Sequence, residues 1–196
     1  LRLQRVDALR GAGLLGADEA DAVVEQILGA AESTTTVTEG GCAGDSLCVS
    51  GVVRWKDRNG ALHPVDRAPV QIRDQDPGPD AVVTTVTTDA DGAYAATVSA
   101  VDSDGGPSGR DLYVRVLADG PGFTLDQHVD GAVTADVAPG STLVKGVTAG
   151  NVTDNATAFS VHAALTVATD EVALQNGGPL DTVEVVFPSD VSYYDG

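Results

Sequence analysis

The sequence predicts a mainly β protein. It reads as an antiparallel β-sandwich with a short N-terminal helical arm and a C-terminal helix plus strand. Three observations lead there. From Leu47 to about Gly150, short apolar alternations recur, each bounded by Gly, Pro or Asp. Turn chemistry fills the gaps between them: "DRNG", "DQDPGPD", "DADG". At both ends the period changes from two to that of a helix.

Residues 1–32 carry no proline, and Leu3, Val6 and Leu9, then Val24, Ile27 and Leu28, recur at helical spacing. Gly11, Gly13 and Gly16 interrupt them, which predicts two short helices with a glycine joint or, alternatively, a propeptide-like arm. Residues 33–46 are polar, Thr-rich and Gly-rich and read as a linker. Residues 47–150 form the sandwich. Val49, Gly51, Val53 and Trp55 alternate in "LCVSGVVRW", Val70 and Ile72 in "APVQIRD", and Leu112, Val114 and Val116 in "DLYVRVLA". "AVVTTVTT" and "GAYAATVSA" read as a hairpin across "DADG", and the Asn-Gly of "DRNG" as a turn with two positive φ angles. "FTLDQHV", "AVTADVA" and "STLVKGVTA" complete the strands. In residues 151–196 a helix is expected over 155–175, with Phe159, Ala163 and Val167 on one face and "NGG" as its stop. The strand "DTVEVVFPSD" follows, and this segment reads as the start of a further, incomplete domain. A lone strand must pair with the sandwich or with sequence not given.

The formal net charge of −18, with a pI near 4.1, argues against nucleic acid and anionic lipid as partners. No apolar run is long enough to span a membrane. The chain begins with Leu1 and has no methionine, so a mature product or a fragment is expected. Cys42 and Cys48 in "CAGDSLC" suit a small disulfide loop, with free thiols or a metal as the alternatives. The place expected is extracellular, secreted or at a cell surface.

"CVSGVVRWKDRNGALHPVDRAPVQIRD", "TTVTTDADGAYAATV" and "GRDLYVRVLA" together resemble the carboxypeptidase regulatory-like, or transthyretin-like (prealbumin-like), domain. The matching positions are Val49, Gly51, Val53, Ala68, Val70, Ile72, Thr88, Asp89, Gly92 and Tyr94, over roughly residues 47–120. The resemblance implies an Ig-like or transthyretin-like sandwich. Further on, "AFSVHAALTVATDEVALQ" and "VEVVFPSDVSYYDG" are similar to the passage that leads into the zinc peptidase domain of secreted bacterial proteins. The H-E-x-x-H helix of such a domain is absent from this sequence. His63, His128 and His162 each lack a second His four residues away.

Candidate chemistry is sparse. No G-x-S-x-G elbow or P-loop occurs, and no G-x-G-x-x-G follows a strand. Calcium takes about six to eight oxygen ligands. Asp74, Asp76 and Asp80 in one loop, and Asp102, Asp104 and Asp111 in another, are the candidates, since loops at one end of a sandwich can pool ligands. In "DADG" the expected role of Asp89 is to cap turn N–H groups, with Gly92 at positive φ. Trp55 and Tyr94 read as core anchors rather than a sugar platform. His162 reads as a partly buried polar residue of the helix. "NVT" at 151 and "NAT" at 155 are glycosylation sequons, relevant only in a eukaryotic secretory host.

The function expected is non-catalytic: an accessory region that positions a neighbouring domain of the same polypeptide, a metallopeptidase domain in the first instance. The alternatives are a stalk or adhesion module with a protein or glycan ligand, and a calcium-stabilised binding domain.

Overall fold

A computed structural model describes residues 32–57, 59–102, 109–150, 154–179 and 181–185. The helical arm expected within residues 1–32 lies outside them, save Glu32. The strands are β1 (Glu32–Gly41), β2 (Ser46–Lys56), β3 (Leu62–Pro64), β4 (Pro69–Asp74), β5 (Ala81–Thr87) and β6 (Ala93–Ser99). There follow β7 (Arg110–Leu117), β8 (Phe123–Thr124), β9 (His128–Asp130), β10 (Thr134–Val137) and β11 (Ser141–Ala149). The helix α1 (Asp154–Asn176) and the short β12 (Val183–Glu184) end the described chain.

Two sheets form a β-sandwich. In the first, β1 pairs β11 and β11 pairs β2, whose other edge is shared by β6 and β3. In the second, β5, β4 and β7 pair in turn, and the far edge of β7 is shared by β9 and β10. The predicted alternations fill the space between them. Leu47, Val49 and Val53 face Val70, Ile72, Leu112, Val114 and Val116, and all are buried. Removing such side chains from water is the main force holding the sheets together.

Four expectations for the strands and turns change. The sheets are not purely antiparallel, because β11 runs parallel to β2. The stretch expected as a linker is mostly a strand: β1 pairs β11 from Glu32↔Thr148 to Gly41↔Ser141. Its residues from Thr34 on are exposed, so no apolar alternation was required of it, and the β-branched run "TTTVT" supplies the propensity. "DADG" does not close a hairpin ladder, since β5 pairs β4 in one sheet and β6 pairs β2 in the other. The "DRNG" turn has one positive φ among its described residues, at Gly60. Asp57 organises it, its Oδ1 accepting from the N–H groups of Asn59 and Ala61.

The helix forms close to its expected bounds, with Phe159 inward as expected but the rest of the buried face shifted by about one residue. Ala158, Phe159, His162 and Thr166 are buried, whereas Val167 is 70% exposed. His162 sits on this face with its ring between the Ala118 and Asp66 carbonyls. The last strand joins the sandwich region, β12 pairing parallel with β8.

Candidate functional site

The acidic loops meet at one end of the sandwich. Asp74 ends β4, Asp76 follows it, and Asp102 lies between β6 and β7. One ligand oxygen from each lies within 4.8 Å of the others. The expected pooling of two loops therefore occurs for these three. Asp80 and Asp111 are engaged elsewhere. Tyr113 donates its hydroxyl to Asp80 at 2.6 Å, and Asp111 accepts from the N–H of Asp136 at 2.8 Å. Asp104 lies outside the described residues.

A guanidinium already serves this cluster. Arg110, at the start of β7, donates Nη1 to Asp74 Oδ2 at 2.6 Å, Nε to the Ser99 carbonyl at 2.9 Å and Nη2 to the Val101 carbonyl at 2.5 Å. The other oxygen of Asp74 accepts from the N–H of Asp111 at 2.9 Å. Burial pushes the Asp74 carboxyl up from its ordinary value and the charge of Asp102 adds to that. Arg110 and the Asp111 N–H pull the other way. Both oxygens of Asp74 are thus spent inside the protein. The arrangement works as an internal ion pair that ties β4, β7 and the loop between β6 and β7 together.

Asp89 does what the sequence implied. Its Oδ1 accepts from the N–H groups of Asp91 and Ala93, each at 2.9 Å, and Gly92 takes φ 75. A side chain at Gly92 would also meet the Val53 carbonyl at 2.3 Å. The same device stands at Asp57, so "DRNGA" and "DADGA" are one turn used twice. Tyr94 is buried, donates to the Lys145 carbonyl at 2.6 Å, and has its hydroxyl pushed up by desolvation. Trp55 packs against the core and stacks on His63, ring centroids 4.6 Å apart. Cys42 and Cys48 are joined as a disulfide.

Two sites were not read from the sequence. Lys145 is buried in the line of Leu143 and Val147. Its ammonium donates to the Ala132 carbonyl at 2.9 Å and to Thr134 at 2.6 Å, and burial pushes its pKa down to about 8. Alternation along β11 already put it on the core face. The second is the fastening of α1. His162, 1% exposed, lies with Nδ1 3.0 Å from the Ala118 carbonyl and Nε2 2.7 Å from the Asp66 carbonyl. Phe123 meets its ring edge-on. About two turns further on, on the outer side, Arg67 donates both terminal nitrogens to Asp170, at 2.7 and 2.5 Å. No local pattern marks these partners, which come from 44 to 103 residues away.

No helix among the described residues is long and apolar enough to cross a membrane. No protein-family model matches the chain, and no curated protein matches it. Among solved structures, a 9R-lipoxygenase from Cyanothece PCC8801 is similar at 18% identity and a TM-score of 0.40. The match covers 77% of this chain and 22% of that one. The chain thus spans less than a quarter of that protein's length, and so slight a likeness carries no argument.

Proposed function

We propose that this chain is a non-catalytic positioning region of a larger secreted protein, with a sandwich of the Ig-like or transthyretin-like type at its centre. On this reading the sandwich holds a neighbouring domain of the same polypeptide, a metallopeptidase domain in the first instance. The observation that carries it is the fastening of α1. Phe159 and His162 are buried against the sandwich, and the Arg67–Asp170 pair grips the helix a second time. A helix held at two levels gives the polypeptide that leaves it a fixed direction. The disulfide fits an oxidising compartment. Fold alone does not carry function. The test is to read the coding frame beyond Gly196 and to assay the purified chain on casein. An H-E-x-x-H helix downstream with an inert isolated chain is the expected result. A frame that stops at Gly196, or zinc-dependent cleavage by this chain abolished by a chelator, would overturn the reading.

A second reading rests on Asp74, Asp76 and Asp102 lying together: a calcium-stabilised domain. A ligand that binds only the folded state raises its melting temperature. Because Arg110 already neutralises Asp74, equal melting in calcium and in EGTA is the expected result. A rise of many degrees with calcium would establish the second reading.

A further inference from the structure

The ring of His162 is sealed between two acceptors. Nδ1 lies 3.0 Å from the Ala118 carbonyl and Nε2 2.7 Å from the Asp66 carbonyl. A carbonyl oxygen offers only lone pairs. A neutral imidazole carries one N–H, so it satisfies one of these carbonyls and turns a lone pair on the other. The imidazolium, with an N–H on each nitrogen, satisfies both. Proton loss therefore sets a buried ring nitrogen against a buried carbonyl with no hydrogen between them, which is costly where water cannot enter. The aromatic neighbours, Phe123 and Phe159, with ring centroids at 5.3 and 6.3 Å, offer no replacement donor. The Asp66 carbonyl stands before β4 and the Ala118 carbonyl just after β7, so one ring fastens α1 to two segments.

We propose that His162 is a proton-operated latch: protonated, it holds α1 to both segments, and on losing its second ring proton it lets go of one, so that the helix loosens from the sandwich. Imidazoles change charge between about pH 5 and 8. The seated helix binds the second proton and the loosened helix gives it up, so seating is firmest at the acid end of that range and weakens as pH rises. The charged groups on the enclosing segments are Asp66 and Arg67 before β4, Asp119 after β7, and Asp170 and Glu171 on α1. Arg67 is paired with Asp66 and Asp170, Asp119 accepts from the Leu125 N–H, and Glu171 accepts from Gln175. The one cation among them is thus already neutralised and does not oppose a charge on the ring. Arg67 is held charged by Asp170, and Asp170 by Arg67, so this second grip persists while the latch opens. The loosening is therefore local to the turns around His162. What it does to a neighbouring domain rests on the function proposed above; the latch itself belongs to this chain alone.

The test uses the full chain, ¹⁵N-labelled. Ring nitrogen shifts report the number of N–H groups on His162, and hydrogen exchange, corrected for its intrinsic pH dependence, reports how firmly α1 is seated. The expected result is a ring with two N–H groups at about pH 5.5 and one at about pH 8. Protection of the amides of residues 158–166 should fall in step, at least about tenfold, while that of β2 and β7 does not. Lys145 acts above about pH 8 and with the opposite sign, so it does not imitate this response. His63 and His128 have half-exposed side chains, and the variant His63→Asn with His128→Asn should keep the response. His162→Gln, whose donors sit on one nitrogen and do not titrate, should abolish it. A ring that keeps one N–H, or two, throughout that range overturns the proposal. So does a loss of protection that fails to follow the ring, or that survives in His162→Gln. None of these readings depends on the coding frame beyond Gly196, so the latch and the proposed function fail separately.

Discussion

Lys145 shows how one side chain sets a pH response. Burial lowers its folded-state pKa to about 8, against 10.5 for the free side chain. Between those values the unfolded chain binds more protons than the folded one, so stability rises with pH. Below about pH 8 the amine is charged in both states and the full cost persists, at most about 3 kcal/mol. Urea midpoints should therefore climb from about pH 8 toward pH 10, and Lys145→Met should remove that climb. Beyond about pH 10 the buried Tyr94 turns the slope downward, because its raised pKa makes the unfolded chain lose that proton first. Gly51 is equally local. It stands opposite Tyr94, and a Cβ there would lie 1.8 Å from the Lys145 carbonyl. Gly51→Ala should cost about 3 kcal/mol or more in chemical denaturation, since backbone, not a flexible side chain, must move. The turn role of Asp89 was legible because its partners lie within four residues. Alternation along β11 gives only the face on which Lys145 lies; its depth and lowered pKa come from the tertiary structure.

At the scale of elements, the Arg110–Asp74 pair ties two strands and a loop. Its side chains are 10% and 3% exposed, so removing one partner strands the other in a dry site. Arg110→Ala should cost about 3–5 kcal/mol by urea denaturation. The double change Arg110→Leu with Asp74→Asn should recover much of that loss, since it leaves no buried charge. The raised pKa of Asp74 also fixes a sign. Its carboxyl takes up a proton more readily folded than unfolded, so acidification through its range adds stability rather than removing it. Strand identities were readable where one face is buried, as in β2 and β7. They were not readable in β1, whose residues from Thr34 on are exposed and whose only described partner is β11. The buried face of α1 was legible at Phe159 but not at His162, whose place between the Ala118 and Asp66 carbonyls is set by residues 44 and 96 positions away.

Over the whole molecule, 29 acidic residues stand against 11 basic ones. Self-repulsion on that scale weakens a compact state, and salt screens it over about 10 Å at 0.1 M. Thermal melts should therefore rise by a few degrees from low salt to physiological ionic strength. A flat response would mean that the carboxylates are neutralised locally, as Asp74, Asp130 and Asp170 are by Arg110, Arg115 and Arg67.

The sequence by itself determined the β-sandwich class, the alternating core, the disulfide-ready cysteines, the turn anchored by Asp89 and the C-terminal helix. All of these are set by neighbours a few residues apart, through period, turn chemistry and charge. Tertiary structure alone decided that β11 lies parallel to β2, and that β5 and β6 belong to different sheets. It also decided that Arg110 occupies the acidic cluster and that His162 locks α1 to the sandwich. Each of these joins groups distant in sequence, and such choices follow from which backbone edges and buried charges find partners once the chain has closed on itself.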